Sequence, residues 1–497
     1  MDAIEHLGHG FALLMVPKYL LFCLVGVMLG QAVGVLPGIG PAAGIAILLP
    51  LTFGGDPIAS TIMFAGIYYG AQYGGTLTSV LIRLPGESSS VMTSLDGHEM
   101  ARQGRAGAAL GIAAIGSFVA GIAGTIGLAL FAPALAKAAL VFGPTEYFAL
   151  VIMGLSALAL VGGSLIKGLT MGVLGLALAT IGTDPQIGTP RFTFGQLWLL
   201  DGIEFLILAV AFFGIGEVLA QSEEETGGSA IETRIGSVYP TMADWIASRW
   251  AIVRGTVIGY VIGVLPGAGA TIASFVAYAV EKKISDTPER FGKGAIEAVA
   301  APESANNAAA TGAMVPMFAL GIPGSNTTAI MLGALIMFGL RPGPALFQQN
   351  PDFVWTIIAS MFVGNLILLL LNLPLVGVFA ALLRAPYALL YPVILALCIA
   401  GVFSQSNSTS DLWLAAGFGV LGYFMKRYDF PAAPLILGLV LEPLFENSLR
   451  QMMTLSHGSL MPLVRSWVAF VILLITAACV VWPLAAHLLA RRKRWAA

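Results

Sequence analysis

Apolar stretches long enough to cross a bilayer follow one another along almost the whole chain, and this limits its fold more than any motif does. A hydrocarbon core about 30 Å thick takes roughly 20 apolar residues per helix. The sequence of 497 residues is 58% hydrophobic and 10% charged, with a mean hydropathy of +0.89, far from soluble domains. The expectation is an all-α polytopic membrane protein with roughly ten to thirteen segments.

Candidate spans lie near 11–36, 57–84, 108–135, 145–163, 165–181 and 199–220, then near 251–265, 296–321, 325–340, 353–383, 386–403, 410–425, 430–442 and 465–490. Two apolar segments, 41–53 and 270–282, are too short to cross alone and read as half-spans. The longest polar interval, 221–254, ends near Trp245 and Trp250 and suggests a linker leading into an interfacial helix. The expected organisation is therefore a membrane unit at 1–221, a polar connection at 222–250 and a second membrane unit at 251–497.

The start, "MDAIEHLGHG", lacks the cationic region and small-residue cleavage site of a secretory signal, so the first apolar helix is expected to remain as an anchor. The terminal "RRKR", Arg491 to Arg494, predicts a cytoplasmic C-terminus by the positive-inside rule.

Several function classes find no support. A formal net charge of −2 provides no basic face for nucleic acid. Cys23, Cys398 and Cys479 sit in apolar stretches and read as small buried hydrophobes. Five scattered histidines show no zinc spacing, and there is no phosphate loop. An enzyme or an ATPase is not expected.

Two stretches echo each other. "GVLPGIGPAAG" begins at Gly34 and "GVLPGAGATIA" at Gly263, 229 positions on. A second pair follows in the same order: "GGTLTSVLIRLPGESSSV" from Gly74 and "GAMVPMFALGIPGSNTTA" from Gly312, with Pro85 and Pro323 238 positions apart. "MARQGRAGAAL" from Met100 and "MFGLRPGPAL" from Met337 make a third. Collinear matches predict an internal duplication of about 220 to 250 residues, the architecture through which many transporters alternate access. Ordinary Pro-Gly turns between helices are the simpler alternative.

Proline removes a backbone donor and glycine admits unusual conformations, so each motif should unwind or turn the chain. Unwound backbone is tolerated in a membrane where it is buried in protein or lines a watery cavity. A helix starting after the break offers free N–H groups and a positive dipole end, which suit a carboxylate. On this ground Gly38, Gly40, Pro41, Ser88, Ser89, Ser90, Gly267, Gly269, Ser325, Asn326 and Thr327 are candidate substrate-binding residues. Thr78, Asn306, Asn307 and Thr328 are candidates for holding a coupling cation. The hydroxyl and amide groups in the two later motifs can equally cap their own helices, and Asn306 and Asn307 can cross-link helices. Glu87, Asp96, Glu303 and Arg341 lie beside these motifs and are open between coupling, salt bridging and solvated charge. The run "YYGAQYGG", Tyr68 to Gly75, suits either cavity lining or packing.

Taken together, these segments, with "YYGAQYGGTLTSVLIRLPGESSSVMTSLDGHEMARQGRAGAALGIAAIGSF" and "ESANNAAATGAMVPMFALGIPGSNTTAIMLGALIMFGLRPGP", resemble the large membrane subunit of the tripartite tricarboxylate transporters. The resemblance implies a multi-pass subunit of a bacterial inner-membrane secondary transporter. It also implies a small membrane subunit with about four helices and a periplasmic binding protein that delivers a carboxylate such as citrate. No cofactor is implied beyond a coupling ion, Na+ or H+. The expected fold is two repeats of inverted topology, with discontinuous helices and an elevator-like movement. An anion channel and a non-transporting structural subunit are the alternatives.

Overall fold

The computed structural model describes residues 3–36, 39–161, 164–223, 235–267, 269–383, 387–478 and 480–481. Among these the chain is a bundle of helices: α1 (Ala3–Leu14), α2 (Pro17–Val35), α3 (Gly40–Leu48), α4 (Pro57–Ile82), α5 (Val91–Arg102), α6 (Ala106–Ala139), α7 (Pro144–Val161), α8 (Leu165–Ala179), α9 (Phe205–Val210), α10 (Gly216–Gln221) and α11 (Met242–Val264). There follow α12 (Gly269–Ile284), α13 (Glu297–Gly312), α14 (Met314–Leu320), α15 (Asn326–Met337), α16 (Pro344–Gln349), α17 (Pro351–Asn372), α18 (Val376–Leu382), α19 (Tyr387–Ser406), α20 (Thr409–Arg427), α21 (Ala432–Leu455) and α22 (Pro462–Arg465). Four helices, α2, α6, α17 and α21, are long and apolar enough to cross a membrane alone. Shorter apolar helices accompany them. The protein is an all-α, multi-pass membrane protein.

Helices α4 and α13 form the centre. Every residue of α13 is buried, as is α4 from Ala59 to Leu81. Each packs on a partner through backbone. A methyl group placed on Gly26, Gly30 or Gly34 of α2 would lie 2.5, 2.6 or 2.2 Å from atoms of Met63, Ile67 or Ala71 on α4. One placed on Gly255, Gly259 or Gly263 of α11 would lie 2.3, 2.2 or 2.5 Å from the carbonyl oxygens of Ala301, Ala305 or Ala309 on α13. Lipid offers apolar groups no gain from mere association, so helices in a bilayer gain from close backbone approach, which small residues permit. The two contacts use glycines and partner residues separated by the same 229 and 238 positions as the matched motifs. Outward-facing side chains of α2 and α11, among them Leu21, Met28, Val257 and Val261, are exposed, as a lipid-facing surface requires.

The two expected half-spans are present, and two other expectations about segments change. The half-spans are the nine-residue α3, extended by a 3-10 turn at Leu49–Thr52, and the 16-residue α12. The stretch 353–383 is two helices, because Pro374 between α17 and α18 lacks the donor that continuation needs. The expected interfacial helix and the span at 251–265 are one helix, α11. It starts in a capping box between Thr241 and Asp244 and carries Trp245 and Trp250 without a break. Residues 224–234 of the polar connection, Cys479 and the terminal "RRKR" lie outside the described residues.

Between α8 and α9 a short antiparallel pair, β1 (Gly182–Thr183) and β2 (Pro190–Arg191), pairs Gly182 with Arg191 and Thr183 with Pro190. It is tied to α21 by ion pairs of Arg450 with Asp184 at 2.7 Å and Arg191 with Glu446 at 2.8 Å. The Arg450 guanidinium and the backbone N–H of Gln186 hold the Asp184 carboxyl well below the usual carboxylate range.

Candidate functional site

The Pro-Gly motifs sit where helices stop and new ones start. In the first motif Gly40 opens α3 with φ +54°, and in its echo Gly269 opens α12 with φ +63°. Both angles lie in the left-handed region that glycine alone adopts freely. After α4, Arg83 turns the chain at φ 60°, and Gly86 lays the following loop on α2 and α4. A methyl there would lie 2.1 Å from the Gly34 carbonyl oxygen and 2.6 Å from the Gly75 Cα. Ser88–Ser90 then make one 3-10 turn leading into α5. In the second half Ser325 caps α15. Its hydroxyl accepts from the Thr328 N–H at 3.2 Å, and its own N–H donates to Thr328 Oγ1 at 2.8 Å.

These four helix starts surround one cavity of about 340 Å³, lined by Gly40, Pro41, Ala42, Tyr68, Gln72, Pro85, Gly86, Glu87, Ser88, Ser89, Gly267, Gly269, Ala270, Thr271, Ser325, Asn326 and Thr327. Its size falls within the range of small-molecule sites. Nine of the expected substrate residues are on its wall. Ser90 is not: it faces α4, where Ser79 Oγ donates to its hydroxyl at 2.9 Å. Gly38 lies outside the described residues. Two hydroxyl pairs join the halves around the cavity, Tyr68 with Ser325 at 2.9 Å and Ser88 with Thr271 at 2.8 Å. Among the described residues the lining contains no lysine, arginine or histidine, and Glu87 is its one carboxylate.

The cation candidates are placed elsewhere. Thr78 Oγ1 donates to the Gly75 carbonyl at 2.8 Å, and Thr328 Oγ1 to that of Ser325 at 3.0 Å, both within their own helical segments. Asn306 and Asn307 belong to a buried cluster around Glu303, which is fully buried. That carboxylate accepts from Thr76 at 2.6 Å, from Thr93 and from Asn306 Nδ2 at 3.3 Å. Asn307 Nδ2 donates to Ser117 Oγ at 2.8 Å and Asn306 Oδ1 at 2.7 Å, linking α13 to α6.

The remaining charged candidates separate clearly. Asp96 is fully buried and accepts at 2.9 Å from the N–H groups of Gly292, Gly294 and Ala295 and from the Tyr278 hydroxyl. It anchors α5 to the turn before α13. Arg341 is exposed. The aromatic run divides by helical face: Tyr68 and Gln72 line the cavity, whereas Tyr73 donates to the Leu110 carbonyl at 2.8 Å. Sequence reasoning left out Thr271 and reached Gln72 only as part of the run Tyr68 to Gly75, without singling it out. The i, i+4 spacing of Tyr68, Gln72 and Thr76 on an otherwise small-residue helix was the available signal for Gln72; Thr271 had none beyond its place after a Pro-Gly break.

Comparison with known proteins agrees with this architecture. Residues 20–437 match the model of the "Tripartite tricarboxylate transporter TctA family". The chain is 46% identical over 495 residues to the "Uncharacterized 52.8 kDa protein in TAR-I ttuC' 3'region" of Agrobacterium vitis, covering 99% of both chains. It is 43% identical over 234 residues to the "Uncharacterized protein in TAR-II ttuC' 3'region" of the same organism, covering 47% of this chain and 97% of that one. No solved structure matches it. With a family match over most of its length and a relative matched end to end, the chain belongs to the tripartite tricarboxylate transporter TctA family.

Proposed function

We propose that this protein is the large membrane subunit of a bacterial inner-membrane importer that moves a carboxylate, a tricarboxylate such as citrate or a related di- or aromatic acid, with a cation gradient as driving force. One observation carries the reading: the starts of α3, α12 and α15 and the turn before α5 share one cavity whose wall lacks cationic side chains. Free N–H groups and positive dipole ends attract anions there. Gly40, Pro41, Gly267 and Gly269 would shape the backbone cradle, and Ser88, Ser89, Ser325, Asn326 and Thr327 would donate to the carboxylates.

The equal offsets of the two glycine contacts support an internal duplication, and paired repeats provide the symmetry through which an elevator-like movement alternates access. The coupling ion is Na+ or H+, and the partners are a small four-helix membrane subunit and a periplasmic binding protein. Uptake in proteoliposomes containing all three components is expected to be concentrative and to collapse when the cation gradients are dissipated. Undiminished uptake without a gradient would overturn the coupling, and equilibration without accumulation would favour a channel.

A further inference from the structure

The structure presents a contradiction in the cavity that a proton resolves. Ser89 Oγ lies 2.7 Å from Gln72 Oε1 and also in hydrogen-bond contact with Glu87 Oε1. A serine hydroxyl has one proton to donate, and both an amide oxygen and an ionised carboxylate oxygen only accept. With Gln72 Oε1 toward Ser89, both contacts are hydrogen bonds only if Glu87 supplies a proton; the amide turned about would instead donate from Nε2 and leave Glu87 free to ionise. We propose that Glu87 is the proton-binding residue of the transport site: it is protonated when the carboxylate is loaded, donates its O–H to Ser89, and Ser89 in turn donates to Gln72.

This inference rests on the cavity being the carboxylate site, and the chemistry of the wall strengthens it. A substrate carboxylate entering there meets Glu87 with no basic side chain among the lining residues to separate the charges. Two carboxylates in one desolvated site do not both ionise readily. The titratable groups facing Glu87 are Tyr68, whose hydroxyl is bonded to Ser325, and, from α13 behind it, Glu303. From α3, α12 and α15 the wall contributes only uncharged residues. In the cycle one proton arrives on Glu87 with the substrate, and the O–H bond breaks on the inward side as the substrate leaves, giving one proton to the cytoplasm and restoring the carboxylate.

The test is infrared titration of the full chain in lipid nanodiscs, following the C=O stretch of protonated carboxyl groups. The expected result is a band whose intensity changes with pH, that disappears in Glu87→Gln and persists in Glu303→Gln. A spectrum unchanged by Glu87→Gln overturns the inference, as does a Gln72 amide turned to donate to Ser89 beside an ionised Glu87. A second measurement uses proteoliposomes of the whole complex with radiolabelled citrate, succinate and tartrate as probes. Glu87→Gln, a fixed mimic of the protonated acid, is expected to lose gradient-driven accumulation and to flatten the pH dependence of whatever exchange remains. Accumulation that survives in Glu87→Gln and follows Na+ alone overturns the proton assignment. Failure of every probe to exchange in the parent protein, with the Glu87 band intact, counts against the cavity as a carboxylate site and leaves the protonation established by the spectrum.

Discussion

Tyr68 on α4 and Ser325 at the cap of α15 meet hydroxyl to hydroxyl at 2.9 Å, 257 positions apart in sequence, and so fasten the two halves of the chain together at the cavity wall. Both groups are buried, so neither has water as a ready substitute. Ser325 is also the cap of α15, which ties the position of a helix start to a residue of the other half.

A double-mutant cycle with Tyr68→Phe and Ser325→Ala should give a coupling energy of about 0.5–1.5 kcal/mol, the net worth of a typical hydrogen bond. Ser325→Ala should cost more than Tyr68→Phe, because it also removes a helix cap. Thermal unfolding in detergent measures both, and strictly additive effects would show that the bond contributes nothing.

Asn326 is exposed into the cavity from the first turn of α15. If its amide donates to a substrate carboxylate, Asn326→Ala should weaken binding by about 1–1.5 kcal/mol, roughly fivefold to tenfold in KM. Thermal stability should stay near that of the parent. Uptake kinetics across substrate concentrations separate a KM effect from a loss of folded protein.

Substituting Gly259 by alanine puts a methyl 2.2 Å from the Ala305 carbonyl oxygen. The helices must separate or shift, and overpacking of this kind typically costs about 1–3 kcal/mol. Gly30→Ala on α2 faces the same obstacle at 2.6 Å. Both variants should melt earlier than the parent, with Gly8→Ala, where nothing lies within 4 Å, as the control that does not.

For the β1–β2 hairpin between α8 and α9, acid should loosen the attachment. The Asp184 carboxyl is held below its ordinary range by Arg450, so its ionised form is favoured by folding. That contribution is complete above the unfolded carboxylate range and fades as pH falls through it toward the folded value. The protection factors of residues 182–200, exchange rates corrected for the intrinsic rate at each pH, should therefore fall in acid. In Asp184→Asn they should be low already at neutral pH and change little on acidification.

Removing the charge of Asp96 tests a different anchor. Its carboxylate gathers three backbone N–H groups and a tyrosine hydroxyl, and Asp96→Asn would turn an amide N–H toward donors. A loss of about 2–3 kcal/mol is expected from charge-assisted bonds to a buried group, visible as lower melting and poorer recovery of monodisperse protein. Unchanged melting would mean that the loop before α13 is held by other contacts.

Much of the site was legible because backbone demands leave marks in sequence. Gly40 and Gly269 adopt left-handed angles, and Gly86 tolerates a carbonyl where a methyl would stand, so such positions stay glycine and stand out in an apolar chain. Capping of their own helices was one of the readings left open for the hydroxyls after the second break, and the structure contains a capping box between Ser325 and Thr328. Gln72 and Thr271 left no comparable mark, since a polar side chain near a break looks alike whether it faces a cavity or a neighbouring helix. The partners of Glu303 were equally hidden: Thr76 and Thr93 lie more than 200 positions away.

By itself the sequence determined the membrane class, the helical character, the places where helices break and the residues able to start new ones, because hydropathy, proline and glycine act locally. Only the tertiary structure decided that these breaks converge on one cavity, that Glu87 stands on its wall, and that Asn306 and Asn307 turn to Glu303 and α6. Those outcomes depend on which helix faces meet, and the faces are set by close backbone packing of α2 on α4 and α11 on α13, contacts between residues distant in sequence.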